Sequence, residues 1–167
     1  MSPIGGPLLR RARYEDRPGI ACLLRDIDEL HAGLAPKYFR SAPRADADWE
    51  RALVDPTAAV FVAAGGPGAA GGAAQGLLGL LLIRIYDTPA DPTMVPRRRG
   101  HIETLVVEAR HRRRGIGRGL LAQAADWARA QGAVELVLTT WTGNDAADAF
   151  YERLGYRVLS RVLHAPL

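Results

Sequence analysis

The junction between residues 106 and 121 carries the clearest chemical signal in this sequence. Val106 and Val107 end a β-branched run, an arginine-rich turn follows, and Gly115 and Gly117 precede an apolar helical pattern. A strand–turn–helix junction of this kind presents unpaired backbone N–H groups at the positive end of a helix dipole, which suits phosphate. Arginines in the turn add charge-assisted hydrogen bonds to phosphate oxygens. The sequence therefore predicts a ligand that carries phosphate.

Three phosphate-binding patterns can be compared with this turn. The P-loop pattern fails because no Lys follows a glycine and no Ser or Thr is placed to hold magnesium. The dinucleotide pattern G-x-G-x-x-G fails because its third glycine position is Leu120, and no acidic residue closes a second strand downstream. The third pattern, [QR]-x-x-G-x-[GA], fits Arg112, Gly115 and Gly117.

This third pattern resembles the signature of the GCN5-related N-acetyltransferases, which bind the pyrophosphate of coenzyme A. The resemblance extends roughly over residues 8–163 and is strongest from residue 100 onward. Residues 102–107 resemble the fourth strand of the family, and residues 144–156 resemble its N-x-x-A-x-x-F-Y-x-x-x-G-[FY] helix. Two motifs in the correct order are far more specific than the turn alone.

The resemblance implies acetyl-coenzyme A as cosubstrate and a binding site built largely from backbone. Leu105 and Val107 would offer backbone groups to the pantetheine arm, and a backbone N–H near Val106 would polarise the thioester carbonyl. Asn144 occupies the position of a coenzyme-contacting asparagine, with helix capping as the alternative role. The turn residues expected to hold the pyrophosphate are Arg112, Arg113, Arg114, Gly115, Ile116, Gly117 and Arg118.

Two side chains are candidates for proton transfer. Strand alternation predicts that Glu103 shares a face with Leu105 and Val107, so its carboxylate is the candidate general base, with simple pairing to an arginine as the alternative. Tyr151 matches the family tyrosine near the coenzyme sulfur and is the candidate general acid, with core packing as the alternative. We expect no metal site, because no His, Cys, Asp and Glu spacing indicates one.

Composition is typical of one soluble domain spanning residues 1–167. The chain is 48% hydrophobic and 24% charged, and a single cysteine excludes an internal disulfide. Its net charge of +4 suits coenzyme A and equally suits nucleic acid. The basic clusters at 10–13, 97–99 and 110–118 lack interleaved aromatic residues, so we expect no specific nucleic-acid partner. No apolar stretch predicts a membrane span, so the cytoplasm is the expected compartment, with a homodimer as a possible assembly.

Periodicity and turn signals predict a mixed, mostly antiparallel α/β sheet with helices on both faces. Helices are predicted at 15–33, 44–54, 115–131 and 143–154, the last opened by a capping box at Thr142 and Asp145. The helix–loop–helix at 28–55 and the loop at 86–99 are expected to flank an acceptor cleft whose substrate the sequence does not identify. The predicted strands are 8–13, 58–64, 77–85, 100–107, 134–140 and 156–163.

Two other functional classes compete with an acetyltransferase. A non-catalytic acyl-coenzyme A-binding or regulatory module could use the same fold, although it would need neither Glu103 nor Tyr151. A nucleic-acid-binding protein would use the arginine clusters and show a steep dependence of binding on salt.

Overall fold

A computed structural model describes residues 6–42, 47–65 and 76–166 of the chain. Within these residues the sheet is built from five strands, in the order β1-β2-β3-β4-β5. The strands are β1 (Leu8–Arg11), β2 (Ala58–Ala64), β3 (Leu77–Asp87), β4 (Arg98–Val107) and β5 (Glu135–Val137). The helices are α1 (Arg17–Leu34), α2 (Ala47–Val54), α3 (Ile116–Ala130) and α4 (Asp145–Arg153).

The sheet is mixed, as predicted. Neighbouring strands from β1 to β4 are antiparallel, and β5 alone is parallel to its neighbour β4. The parallel pair is connected through α3, because a parallel connection needs a crossover longer than a hairpin turn.

Each face of the sheet is covered by helices, which also agrees with the prediction. On the first, which we call the α1 face, Ile20 and Leu23 of α1 and Trp49 of α2 pack against Leu80 and Leu82 of β3. On the opposite or α3 face, a second cluster includes Leu81 and Ile83 of β3 with the following residues of α3: Ile116, Leu120, Leu121, Ala124 and Ala128. Burial of two apolar faces is the main stabilising contribution to this fold.

A β-bulge interrupts the pairing of β3 with β4 at Glu103. Leu82 pairs with Thr104 while Ile83 pairs with Ile102, so Glu103 is the extra residue on β4. An extra residue breaks simple alternation, because positions on either side of it no longer share a face by parity. Ile102, Leu105 and Val107 all pack on the α3 face, although one of them has an even number.

Strand β4 has a full partner on one side and a short one on the other. Its pairing with β5 covers only Arg99–Glu135, Gly100–Leu136 and His101–Val137. Beyond His101 the two strands separate, so residues 102–107 have no strand partner on the β5 side within the described chain. We call this separation of β4 from β5 beyond His101 the fork.

The predicted final strand at 156–163 is wrong. The described residues after α4 form no strand, and Val158, Leu159, Val162 and Leu163 are each at least 69% exposed. Their apolar positions come as adjacent pairs rather than at every second residue, so neither face of a strand would collect them.

Other element boundaries differ by a few residues from the prediction. The strand predicted at 134–140 is limited to Glu135–Val137, while β3 and β4 extend into the predicted loop at 86–99. Helix α4 begins one residue after Asn144, whose Oδ1 accepts a hydrogen bond from the Ala147 N–H at 3.3 Å, so the capping box at Thr142 is wrong. The start of the helix predicted at 44–54 lies outside the described residues. No helix in the described ranges has the length and apolarity needed to cross a membrane.

The close packing of β4 under α3 gives a test of the fold. A Cβ at Gly100 would lie 2.7 Å from Leu136 Cδ2 and 3.1 Å from Ala128 Cβ, so Gly100→Ala should lower the free energy of unfolding by roughly 1–3 kcal/mol. Gly33 of α1 has no atom within 4 Å of such a Cβ, so Gly33→Ala should be neutral or stabilising by up to about 1 kcal/mol. Urea unfolding measures both, and equal stability of the two variants would contradict this packing.

Candidate active site

The basic turn and the first turn of α3 form an exposed cluster of hydrogen-bond donors. Gly115 is the N-cap of α3 with φ of 82°, and as a glycine it has no side chain to cap the helix. The first intrahelical bond runs from the Gly119 N–H to the Gly115 carbonyl at 2.9 Å. The N–H groups of Ile116, Gly117 and Arg118 therefore precede the first residue that has an intrahelical acceptor. They form the positive end of the helix dipole.

Left-handed backbone shapes this turn at two positions. Gly115 has φ of 82°, which costs glycine nothing, and Arg113 has φ of 60°, which is strained for a residue with a side chain. No atom lies within 4 Å of a Cβ built on Gly115, so the space beside the helix start is open to a ligand. The predicted arginines Arg112, Arg113, Arg114 and Arg118 are all exposed around this space.

Some polar groups near the turn already have partners. The Arg112 Nε donates to the Val107 carbonyl at 3.0 Å, which ties the turn to the end of β4. Glu108 accepts from Arg110 and pairs with His111, and these contacts hold the pKa of the Glu108 carboxyl below its usual range, the Arg110 hydrogen bond contributing most. Arg113, Arg114 and Arg118 are exposed, and their side chains have no hydrogen bond or ion pair within the described residues.

Two of the predicted turn residues, Ile116 and Gly117, point toward packed parts of the fold. Ile116 is buried on the α3 face, so only its backbone is available to a ligand. A Cβ on Gly117 would lie 3.2 Å from Phe150 Cζ, so the small size of this residue lets α4 pack closely on the first turn of α3. Gly117 thus fixes the position of the helix that carries Tyr151.

Tyr151 lies on α4 among apolar and aromatic groups. It packs against the α3-face cluster, and its ring centroid lies 5.1 Å from that of Phe150 and 5.4 Å from that of Tyr156. Burial, with a smaller effect of Tyr156, raises the pKa of Tyr151 to about 12. The phenol therefore keeps its proton throughout the neutral range. Asn144, at the start of the same helix, acts as its N-cap.

Glu103 lies on the opposite face from the one predicted. Its Oε1 accepts hydrogen bonds from Arg84 Nε at 3.1 Å and from the Tyr86 hydroxyl at 3.0 Å, and both partners are on the α1 face of β3. Leu105 and Val107 pack on the α3 face, so the prediction that all three share a face is wrong. The bulge is the cause, because the extra residue displaces Glu103 from the alternation of its neighbours.

The carboxylate of Glu103 belongs to a chain of polar contacts. Arg84 also bonds to Asp55 through Nη1 and Oδ2, at 2.6 Å. Burial and the nearby Glu103 carboxylate raise the pKa of Tyr86, so its hydroxyl remains a donor. Both contacts end on Oε1, and in the described part of the chain no hydrogen bond or ion pair reaches Oε2.

Glu103 lines an open depression on the α1 face, next to the fork. The depression has a volume of about 380 Å³. Val137 of β5 and His101 of β4, a cross-strand pair at the point where the strands separate, both contribute to it. The remaining lining residues are Tyr86, Asp87, Thr88, Pro89 and Arg99. Sequence reasoning placed a cleft at loop 86–99 but missed Tyr86 and Arg99, which the spacing of two residues along β3 and β4 could have grouped with Arg84, His101 and Glu103.

The fork lies between the depression and the turn along β4. Leu105, Val106 and Val107 form its β4 side; Val106 is buried on the α1 face, and the other two are partly buried on the α3 face. Within the described residues the backbone of these three has no strand partner on the β5 side. An extended ligand arm hydrogen-bonded along β4 would connect the anion-binding turn with Glu103.

The described residues hold no group of three or more His, Cys, Asp or Glu side chains arranged to bind a metal ion.

Comparisons with known proteins agree with this architecture. The chain is 41% identical over 58 residues to N-alpha-acetyltransferase 30 of Schizosaccharomyces pombe, a match that covers 35% of this chain and 39% of that protein. The chain spans less than half the length of the curated relatives it matches.

Solved structures match over nearly the whole chain. A mutant of the BH1408 protein of Bacillus halodurans is 26% identical, with a TM-score of 0.85 over 96% of this chain and 99% of that one. The aminoglycoside N-acetyltransferase AAC(6')-Iy in complex with CoA shares the fold at 17% identity, with a TM-score of 0.69 over 96% of this chain and 98% of that one.

The model of the acetyltransferase (GNAT) family matches residues 24–156, a stretch that includes the basic turn, the fork and Tyr151. The chain belongs to this family, as the two sequence motifs predicted.

Proposed function

We propose that this protein transfers an acetyl group from acetyl-coenzyme A to a primary amine by direct attack. The observation that carries the proposal is the fork, which leaves an edge of β4 without a strand partner, within the described residues, between the depression that contains Glu103 and the basic turn that follows β4. Family membership supports acetyl-coenzyme A as the cosubstrate. The names of its relatives, an N-alpha-acetyltransferase and an aminoglycoside N-acetyltransferase, support an amine as the acceptor.

The residues of the turn suit the pyrophosphate of the coenzyme. The free first-turn N–H groups of α3 and the exposed arginines at 112–114 and 118 supply donors around the open space at Gly115. Backbone groups of Leu105, Val106 and Val107 would then align the pantetheine arm along β4. The carbonyl of Val107 accepts from Arg112, so the arm would use the remaining groups of this edge or displace that contact.

Glu103 is the proposed general base. Its Oε1 is fixed by Arg84 and Tyr86, which leaves Oε2 to accept a proton from an amine in the depression, directly or through water. Loss of that proton frees the nitrogen lone pair to attack the thioester carbonyl. The carbonyl would be polarised by a backbone N–H near Val106.

Tyr151 is the proposed general acid. A phenol with a pKa of about 12 holds its proton at neutral pH and can donate it to the thiolate that leaves. The contact of Phe150 with the first turn of α3 supports this role, because it fixes α4 beside the coenzyme turn.

One observation favours a second candidate function. The pairing of Glu103 with Arg84 is what a purely structural carboxylate would show, as expected for a non-catalytic acyl-coenzyme A-binding module on this fold. A thiol-release assay with acetyl-coenzyme A across a panel of amines separates the two functions. A catalyst releases coenzyme A in proportion to acetylated amine, whereas a binding module releases none.

The conformation of Gly115 gives a prediction about coenzyme binding. Gly115→Ala places a Cβ at φ of 82° in the open space of the turn, so it should lose about 1 kcal/mol of stability and weaken the binding of coenzyme A at least several-fold. Gly76→Ala is the matched control, because Gly76 also has φ of 82° and no atom within 4 Å of a built Cβ. Isothermal titration calorimetry should show weakened binding in the first variant only. Equal affinities in both variants would mean that the turn does not contact the coenzyme.

The double role of Arg84 gives a matched test of Glu103. Glu103→Gln should lower kcat by roughly 10²–10⁴ while coenzyme A still binds, and higher pH should restore part of the rate because more amine is then deprotonated. Asp55→Asn removes the other carboxylate of Arg84 and serves as the control for lost pairing. Steady-state kinetics from pH 6 to pH 10 (roughly the range that spans amine ionisation) compares them. A loss in Asp55→Asn as large as that in Glu103→Gln would assign Glu103 a structural role.

The raised pKa of Tyr151 predicts where its proton is lost. The phenol should ionise near pH 12, later than an ordinary tyrosine near pH 10, so its ionisation should not reduce kcat below about pH 10. Because the folded state holds this proton more tightly than the unfolded state, the stability it contributes is complete below pH 10 and is lost as pH rises toward 12. The absorbance titration of the wild type minus that of Tyr151→Phe isolates this group. If this difference titration shows that Tyr151 ionises near pH 10, the burial of its hydroxyl would be contradicted.

A further inference from the structure

The basic triplet at residues 97–99 is not used by the proposed coenzyme site. Arg98 donates to both oxygens of Asp87, at 2.9 and 3.0 Å, and to the Gln131 carbonyl after α3, at 3.3 Å. Arg97 lies 3.8 Å from Glu135. Arg99 alone among the three lines the depression that contains Glu103.

Strand register explains the position of Arg99. It pairs with Tyr86 across β3 and β4, and His101 pairs with Arg84, so these four residues share the α1 face. The Tyr86 hydroxyl reaches forward to Glu103, while its ring packs edge-on against His101 at 5.9 Å. Tyr86 and His101 therefore form a continuous floor between the Arg99 end and the Glu103 end of the depression.

Arg99 has donors to spare. Its Nε donates to Glu135 Oε1 at 2.7 Å, and within the described ranges no hydrogen bond is formed by its two terminal nitrogens. Only 30% of its side chain is exposed, so the guanidinium is held in place. Asp87, the other charged residue that lines this end, is already neutralised by Arg98, so Arg99 is the group there with donors available to an anion.

The two ends of the depression are well separated. Arg99 and Glu103 are four positions apart on one strand, which corresponds to at most about 13 Å between their Cα atoms at ~3.3 Å per residue. In an α-amino acid the ammonium and carboxylate groups are bonded to one carbon, so such a molecule is too short to lie along four residues of a strand. It fits an elongated molecule with one charged group at each end.

We propose that the acceptor is an elongated primary amine with an anionic group, a carboxylate or a phosphate, at its far end, and that Arg99 binds this anion. The inference rests on the proposed function, because it assumes that the amine lies at Glu103. The guanidinium offers two parallel N–H donors, a geometry that matches both anions. Arg99 is then a residue that determines acceptor specificity.

Matched amines of one length test the inference in the wild type. We expect kcat/KM to be at least tenfold higher for 6-aminohexanoate or 6-aminohexyl phosphate than for neutral 6-aminohexanol, and lowest for the dication hexane-1,6-diamine. Comparison of the first two amines separates a carboxylate from a phosphate preference. Shorter amino acids such as glycine should be poor acceptors, because they cannot reach both Arg99 and Glu103.

Variants of Arg99 and of its partner identify the residue responsible. Arg99→Gln should lower the ratio of kcat/KM for 6-aminohexanoate over 6-aminohexanol about tenfold, whereas Arg129→Gln, which changes an arginine of α3 that does not line the depression, should leave that ratio unchanged. Glu135→Gln removes the negative charge beside Arg99, while its amide oxygen can still accept from Nε, and should raise the ratio.

The outcomes are distinguishable. A wild type that acetylates 6-aminohexanol as well as the anionic amines would overturn the acceptor inference and leave the proposed function intact, as would a ratio that Arg99→Gln does not change. Failure to release thiol with any amine, despite binding of coenzyme A, would contradict the proposed function itself.

Discussion

The incomplete pairing of β4 is the constraint on which the rest of this site depends. One edge of the strand is bonded to β3 along its length, and the other meets β5 at only three residues. A sheet edge with unpaired N–H and C=O groups normally invites another strand. Here the edge runs between the two helical layers, from the depression at Glu103 to the basic turn after Val107. Its unpaired backbone groups therefore lie between the two parts of the proposed site.

Packing between α3 and α4 fixes the position of Tyr151 relative to the basic turn. The missing side chain at Gly117 allows Phe150 to approach the first turn of α3, and Tyr151 follows on the same helix. The first turn of α3, which exposes free N–H donors, is therefore in contact with α4, the helix that carries the buried Tyr151. Burial then serves two purposes, because the same apolar contacts that stabilise α4 raise the pKa of Tyr151.

The sequence predicted most of the architecture because its signals were local. Gly115 and the helical spacing after it located the start of α3. Continuous apolar runs located β2 and β3, whose side chains are buried on both faces of the sheet. The face of Glu103 was missed because a bulge depends on how two strands pair, and no residue type in β4 marks it. The pairing of Glu103 with Arg84 and Tyr86 was missed for the same reason, since these partners lie on a different strand. The prediction of a final strand at 156–163 was wrong because β-propensity alone does not supply a neighbouring strand for hydrogen bonds.

The bulge also separates the evolution of chemistry from that of packing. If residue 103 is left out, the remaining residues of β4 alternate without a break: Ile102, Leu105 and Val107 face α3, while Thr104 and Val106 face α1. Glu103 is thus an insertion into an otherwise regular strand, and neither apolar layer requires its side chain. Exchange of this one residue would therefore alter the proposed general base without disturbing the volume of either core. The stability at stake would be that of its polar contacts with Arg84 and Tyr86, while the two apolar layers stay under separate selection.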